Sequence, residues 1–217
     1  DLLQILLDRG IQPIFCSSDL VFKGDTGNYD EGAPRHPTTE YGRQKKVVED
    51  FLLSQNAPFL IIRMTKLYSL EPDKPSLIGQ ILSARRDGTT LRCAYDQVVC
   101  PTCVCDIPSV VSSLVQSKAT GVYHVAAPQQ YTRYTLTMTI AKAAGMELSV
   151  QRCSIRDFDF TEPRPADCSL NTGRLQLKTG FTFSTIEDNM PRILGKREGL
   201  RVDSDVTDYR MHPSSLT

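Results

Sequence analysis

The sequence predicts an α/β fold built on a doubly wound parallel sheet, and three observations carry that prediction. The runs "IQPIFCSSDLVF", "APFLIIRMTKLY" and "GVYHVAA" are largely apolar with little alternation, the pattern of strands covered on both faces. Stretches with apolar residues at helical spacing lie between them. Strand, helix and strand in that order imply right-handed crossovers, which leave the strands parallel.

In chain order, "DLLQILLDRG" reads as a helix that stops at Gly10. The first strand run follows, then "KGDTGNYDEGAPRHPT", a loop by its Gly, Pro and Asp content. A helix begins at Thr38 or Thr39 and reaches Gln55, with Val47, Val48, Phe51 and Leu52 as its apolar stripe. After the second strand run, "SLIGQILSARRDG" is a helix and "TTLRCAYDQVVCPT" a short strand with loop. "VCDIPSVVSSLVQSK" is a helix from near Asp106, and the third strand run comes next. "TRYTLTMTIAKAAGM" is a helix with Thr132 as its N-cap, and "ELSVQRCSI" is a strand. The remainder reads as loops and short helices, ending in a polar tail over residues 201–217.

Bulk properties exclude several classes. Hydrophobic residues at 40% and charged residues at 23% place the chain among folded globular proteins. Lys+Arg and Asp+Glu both number 25, so no bulk positive field draws the chain to nucleic acid or a membrane surface. No apolar run approaches the roughly 18 residues of a membrane span, and no basic-then-apolar leader is seen. The seven cysteines are odd in number and irregularly spaced. Free thiols in a reducing, cytoplasmic compartment are therefore expected. In "CPTCVC" they lack the second ligand pair of a zinc site, and His36, His124 and His212 are scattered, so no metal is expected.

The chemistry concentrates around "SSDLVFKG" and "YGRQKKVVE". Tyr41 and Lys45 stand four apart on a helix, which puts both on one face. An ammonium beside a phenol favours the phenolate form, so such a tyrosine can exchange a proton with a substrate oxygen. Ser18, at the carboxyl end of the first strand, lies where parallel sheets bind ligands and can hold the same oxygen. Tyr-x-x-x-Lys alone is common on exposed helices; the preceding Ser-Ser-Asp strand and the following buried strand make it a site candidate.

"SSDLVFKG", "YGRQKKVVE", "LIIRMTKLY", "YDQVVCPT" and "RPADCSLNT" together resemble the extended short-chain dehydrogenases/reductases, and most of all the dTDP-4-dehydrorhamnose reductase (RmlD-like) family. The resemblance runs to about Leu194. It implies the C-terminal part of a Rossmann-type sheet in residues 1–69. A smaller α/β substrate-binding lobe is implied in residues 70–200, interleaved with a Rossmann strand at 121–127. It also implies NADP or NAD as cofactor and a nucleotide sugar with a 4-keto group as substrate. By position, Tyr41 is the proton donor, Lys45 holds the nicotinamide ribose, and Ser18 bonds the keto oxygen. Asp19 sits near the substrate, while Arg63, Met64 and Thr65 lie at the nicotinamide end of the cofactor. Gln97, Pro101 and Thr102 border the sugar pocket. Arg164 faces a phosphate or else makes a structural ion pair, both readings being open.

Two positions depart from the family pattern: Leu20 replaces a tyrosine, and Asp167 replaces an asparagine. Both leave the identity of the sugar open. The family's Gly-x-x-Gly-x-x-Gly turn, which seats the cofactor pyrophosphate, does not occur. The expectation is therefore that this chain is the C-terminal portion of a longer protein, lacking roughly 90 residues at ~30 per strand–helix unit, and inactive alone. A regulatory β subunit of methionine adenosyltransferase, whose partner is the catalytic subunit, resembles the chain nearly as well. A nucleotide-sugar epimerase is a third reading, and a homodimer stays open.

Overall fold

The computed structural model describes residues 2–71 and 76–195. The expected tail at 201–217 lies outside the described residues. The chain runs α1 (Leu2–Asp8), β1 (Ile14–Ser18), α2 (Glu40–Leu53), β2 (Leu60–Met64), β3 (Leu67–Tyr68), α3 (Leu77–Asp87), β4 (Leu91–Ala94), β5 (Val98–Val99), β6 (Thr102–Cys103), α4 (Asp106–Gln116), β7 (Gly121–Val125), β8 (Tyr131–Thr132), α5 (Arg133–Ala144), β9 (Val150–Cys153), α6 (Gly173–Thr179) and α7 (Ile186–Ile193).

The three apolar runs form one parallel sheet in the order β1-β2-β7, with Cys16 opposite Ile62 and Ile62 opposite Tyr123. Central β2 is buried from Leu60 to Arg63 because helices cover both faces. Leu60 and Ile62 point to a core with Val110 and Leu114 of α4 and Leu175 of α6. Ile61 points the other way, toward Leu52 of α2 and the half-buried Leu3 and Leu7 of α1. A second core joins Leu77, Ile78 and Ile81 of α3 to Leu136 and Ile140 of α5 and to Met190 and Ile193 of α7. Around it lie three two-stranded sheets, of which β3–β6 and β4–β9 are parallel and β5–β8 is antiparallel.

The helix starts follow their caps. Thr39, Ser76 and Thr132 each accept a hydrogen bond from a backbone N–H in the first turn that would otherwise be unpaired. Gly88 and Gly145 end α3 and α5 in the left-handed conformation.

Three expectations need correction. The first strand ends at Ser18 instead of running to Phe22, because the Ser18 hydroxyl accepts from Leu20 N and Phe22 N donates to Asp19 O, closing a tight turn. "LIIRMTKLY" breaks at Thr65 and Lys66, and Leu67–Tyr68 pairs with β6 instead of β7. Val47 is 67% exposed and outside the apolar stripe of α2, whose inner face is carried by Leu52 with Val48 and Phe51.

Candidate active site

The carboxyl end of β1 and the first turns of α2 meet closely. Gly42 makes this possible, since a Cβ there would sit 2.1 Å from Leu20 O and 2.9 Å from Pro37 Cβ. Any larger residue would push the helix off the turn that follows Ser18. Across this contact Lys45 Nζ donates to Cys16 O at 2.8 Å and lies 5.4 Å from the centre of the Tyr41 ring. Tyr41 itself is 49% exposed, so its phenol is open to a ligand. Ser18 is buried; its hydroxyl donates to Asp19 Oδ1 at 2.8 Å. Burial pushes the Asp19 carboxyl up to about 6, against the opposing pull of the Ser18 and Leu20 hydrogen bonds and of Lys66. Lys45 and Gly42 thus set the first turns of α2 against the end of β1 and the turn after Ser18, a seam between strand end and helix.

Behind the seam lies a buried ion network that composition and spacing did not reveal. Glu49, fully buried on α2, accepts from Ser17 Oγ at 2.5 Å and from Arg63 Nη2 at 2.8 Å. Half-buried Arg35 adds a second cation at 3.0 Å. Arg63 also donates to Glu31 O and meets His124 Nε2 at 3.2 Å, with its guanidinium over the Phe22 ring. Burial, with Arg63 alongside, pushes the His124 imidazole down to about 4, so it is neutral at ordinary pH. Arg63, expected at the cofactor, therefore has its guanidinium committed inside the protein, where it ties β2 to α2.

Other expected residues brace this end of the sheet. Thr102 is fully buried; its hydroxyl accepts from Ala127 N at 2.8 Å and donates to Cys100 O. Thr65 Oγ1 donates to the same carbonyl at 2.6 Å. Met64 packs into the first core, and Pro101 is buried between these threonine contacts. Together they fix the ends of β2 and β7 against the loop before β6.

Gln97 and Arg164 do line a cavity of about 520 Å³. Lys66, Arg92 and Arg133 line it too, and sequence reasoning missed all three. No carboxylate side chain lines it among the described residues. Arg92 lies over the Phe158 ring and Arg164 over the Phe160 ring, and the two rings stack at 5.5 Å. Half-buried Arg133 has its guanidinium pushed below its usual range by burial. In a chain of zero net charge, four cations in one concavity mark a place for an anion. The aromatic pair adds a flat apolar wall. Lys66, which lines the cavity, also acts by its charge to lower the Asp19 carboxyl, as the weakest of the influences on it.

A parallel sheet with a strand-end serine and a Tyr-x-x-x-Lys helix defines the short-chain dehydrogenase/reductase class. Comparison with known proteins narrows this. A family model described as the RmlD substrate binding domain matches residues 4–198, and the chain belongs to that family. It is 28% identical over 195 residues to the "Probable low-salt glycan biosynthesis reductase Agl14" of Haloferax volcanii, covering 88% of this chain and 65% of the relative. It is 26% identical over 200 residues to "Methionine adenosyltransferase 2 subunit beta" of Xenopus laevis, covering 85% and 59%. The chain thus spans about three fifths of the length of these relatives. Its fold matches a dTDP-4-dehydrorhamnose reductase of Bacillus anthracis, solved in complex with NADP, at a TM-score of 0.78 and 22% identity over 88% of this chain and 68% of that one.

Proposed function

We propose that the protein carrying this chain reduces the keto group of a nucleotide sugar, using NADP or NAD as hydride carrier. The observation that carries this reading is an exposed tyrosine with an ammonium 5.4 Å from its ring centre, on the helix that packs against the turn after Ser18, in a chain that also holds a four-cation cavity. The seam residues fit the nicotinamide end of such a cofactor. Lys45 is already fixed by Cys16 O and has further N–H bonds to give to a ribose hydroxyl. When bound, the cofactor supplies hydride to the keto carbon. Tyr41 gives its phenolic proton to the developing alkoxide, and Lys45 stabilises the phenolate left behind. Ser18 donates to the same oxygen, which requires its hydroxyl to leave Asp19; an uncharged Asp19 releases it most easily. The cavity's guanidinium groups suit the diphosphate, which they can grip in pairs, and the Phe158–Phe160 wall suits a planar base.

Tyr41→Phe tests the assignment. Reduction of a 4-keto nucleotide sugar, followed as NADPH oxidation, should fall at least about 100-fold, the usual scale for losing a positioned acid, while folding is kept. Near-normal turnover would refute it.

The subunit-beta relatives support a second reading, in which the fold serves as a binding partner of a methionine adenosyltransferase catalytic subunit. Stable co-elution with that subunit, with no reduction of any keto sugar, would favour it. An epimerase in the same fold would keep NAD bound through turnover instead of consuming the reduced cofactor.

A further inference from the structure

The "CPTCVC" run has no part in the reading above, yet it holds two thiols in direct contact. Cys103 Sγ donates to Cys105 Sγ across 3.0 Å. Their settings differ. Cys103 ends β6 within the second core and is 1% exposed, whereas Cys105 is exposed and stands just before the eleven-residue helix α4. Burial pushes the Cys103 thiol up to about 12, so Cys103 keeps its proton and Cys105 meets solvent reagents first.

We propose that Cys103 and Cys105 form a redox-active dithiol, a modification site for small-molecule disulfides such as glutathione disulfide. The Cys105 thiolate attacks one sulfur of the disulfide, forming a mixed disulfide and releasing one glutathione thiolate, which takes up the proton that Cys105 gave to solvent. Cys103 then loses its proton and attacks Cys105 Sγ. The Cys103–Cys105 bond forms, the mixed disulfide breaks, and a second glutathione leaves as thiol. Two protein thiols are oxidised and one glutathione disulfide becomes two glutathiones. The bond joins residues two apart, with Cys105 in the turn between β6 and α4, so neither element has to unfold. Closeness turns the second step into an intramolecular one, which outruns attack by free thiols.

The test is peptide mapping by mass spectrometry after incubation of the folded chain with glutathione disulfide. The peptide holding both residues should lose two hydrogens, carry no glutathione, and regain them with dithiothreitol. Cys103→Ser should instead trap glutathione on Cys105, and Cys105→Ser should leave Cys103 reduced. Cys16, the other exposed cysteine, shows what simple adduct formation looks like. A wild-type chain that stops at a glutathione adduct on Cys105, leaves both thiols free, or bonds Cys105 to a different cysteine overturns the proposal, whatever becomes of the variants.

Discussion

Glu49 on α2 and Arg63 on β2 form an ion pair wholly removed from solvent, Arg63 Nη2 standing 2.8 Å from Glu49 Oε2. The same carboxylate takes the Ser17 hydroxyl, one residue before Ser18, and Glu49 lies one helical turn beyond Lys45. One buried anion therefore pins the helix of Tyr41 and Lys45 to both strands beside it. Helix dipole or propensity could not fix that registry, because each acts along the helix and not across it.

Glu49→Gln should destabilise the chain by about 3–5 kcal/mol, since it leaves Arg63 buried opposite a neutral group. Urea denaturation measures this. Replacing both partners with apolar residues, Glu49→Leu with Arg63→Met, should cost less than Glu49→Gln alone, because neither charge then needs a partner. A double variant weaker than the single one would show that the wider network around Arg63, not the pair, carries the stability.

Gly42→Ala should cost about 1–3 kcal/mol, the range for an extra methyl forced into a filled space. An alanine usually helps a helix by about 1 kcal/mol over glycine, so a loss of stability here reports the collision with Leu20 O directly. Thermal melting gives the sign. A rise in melting temperature would mean that α2 and the turn after Ser18 are less closely joined than the contact indicates.

Much of this architecture was legible in the sequence, and the reasons are local. "LIIRM" reads as a buried strand since helices cover both its faces, and Thr39, Ser76 and Thr132 mark helix starts through side chains that reach their own first turn. Ser18, Tyr41 and Lys45 were visible because spacing alone sets two of them on one helix face. The cavity was not: Lys66, Arg92, Arg133 and Arg164 come from four distant segments, and only the packing of β4, α5 and the loop after β9 brings them together. Arg63 misled for a related reason. Its place at the end of β2 pointed toward the cofactor, but alternation along the strand turns its side chain to the α2 side, where Glu49 waits.

Stability between pH 4 and 6.5 should reflect two opposed groups. Folded His124 resists a proton down to about 4 while its unfolded form binds one from 6.5, so its contribution falls as the pH falls through that window. Folded Asp19 holds its proton up to about 6 while the unfolded carboxyl has lost it above 3.8, so its contribution grows as the pH falls. The wild-type slope should therefore be shallow. Asp19→Asn removes one arm and should steepen the decline toward at most about 1.4 kcal/mol per pH unit for the single remaining proton, while raising stability at pH 7, where the buried carboxylate is charged. Urea midpoints collected across the window decide it. Parallel profiles for the two proteins would mean that Asp19 titrates as it does in the unfolded chain.

The four-cation cavity makes a prediction on the chain by itself, without turnover. A nucleoside diphosphate such as thymidine diphosphate should bind, with affinity falling as salt is added, because its phosphates replace counter-ions around the arginines. Arg133 is half-buried whereas Arg164 is exposed, so screening weakens Arg164 more. Arg133→Met should then cost about tenfold in affinity or more, in line with about 1.5–3 kcal/mol for a hydrogen bond to a charged group, and Arg164→Met should cost less. Titration calorimetry at two salt concentrations reads both effects. Binding that is indifferent to salt and to Arg133→Met would place the diphosphate elsewhere and leave the cavity with no part in holding the substrate.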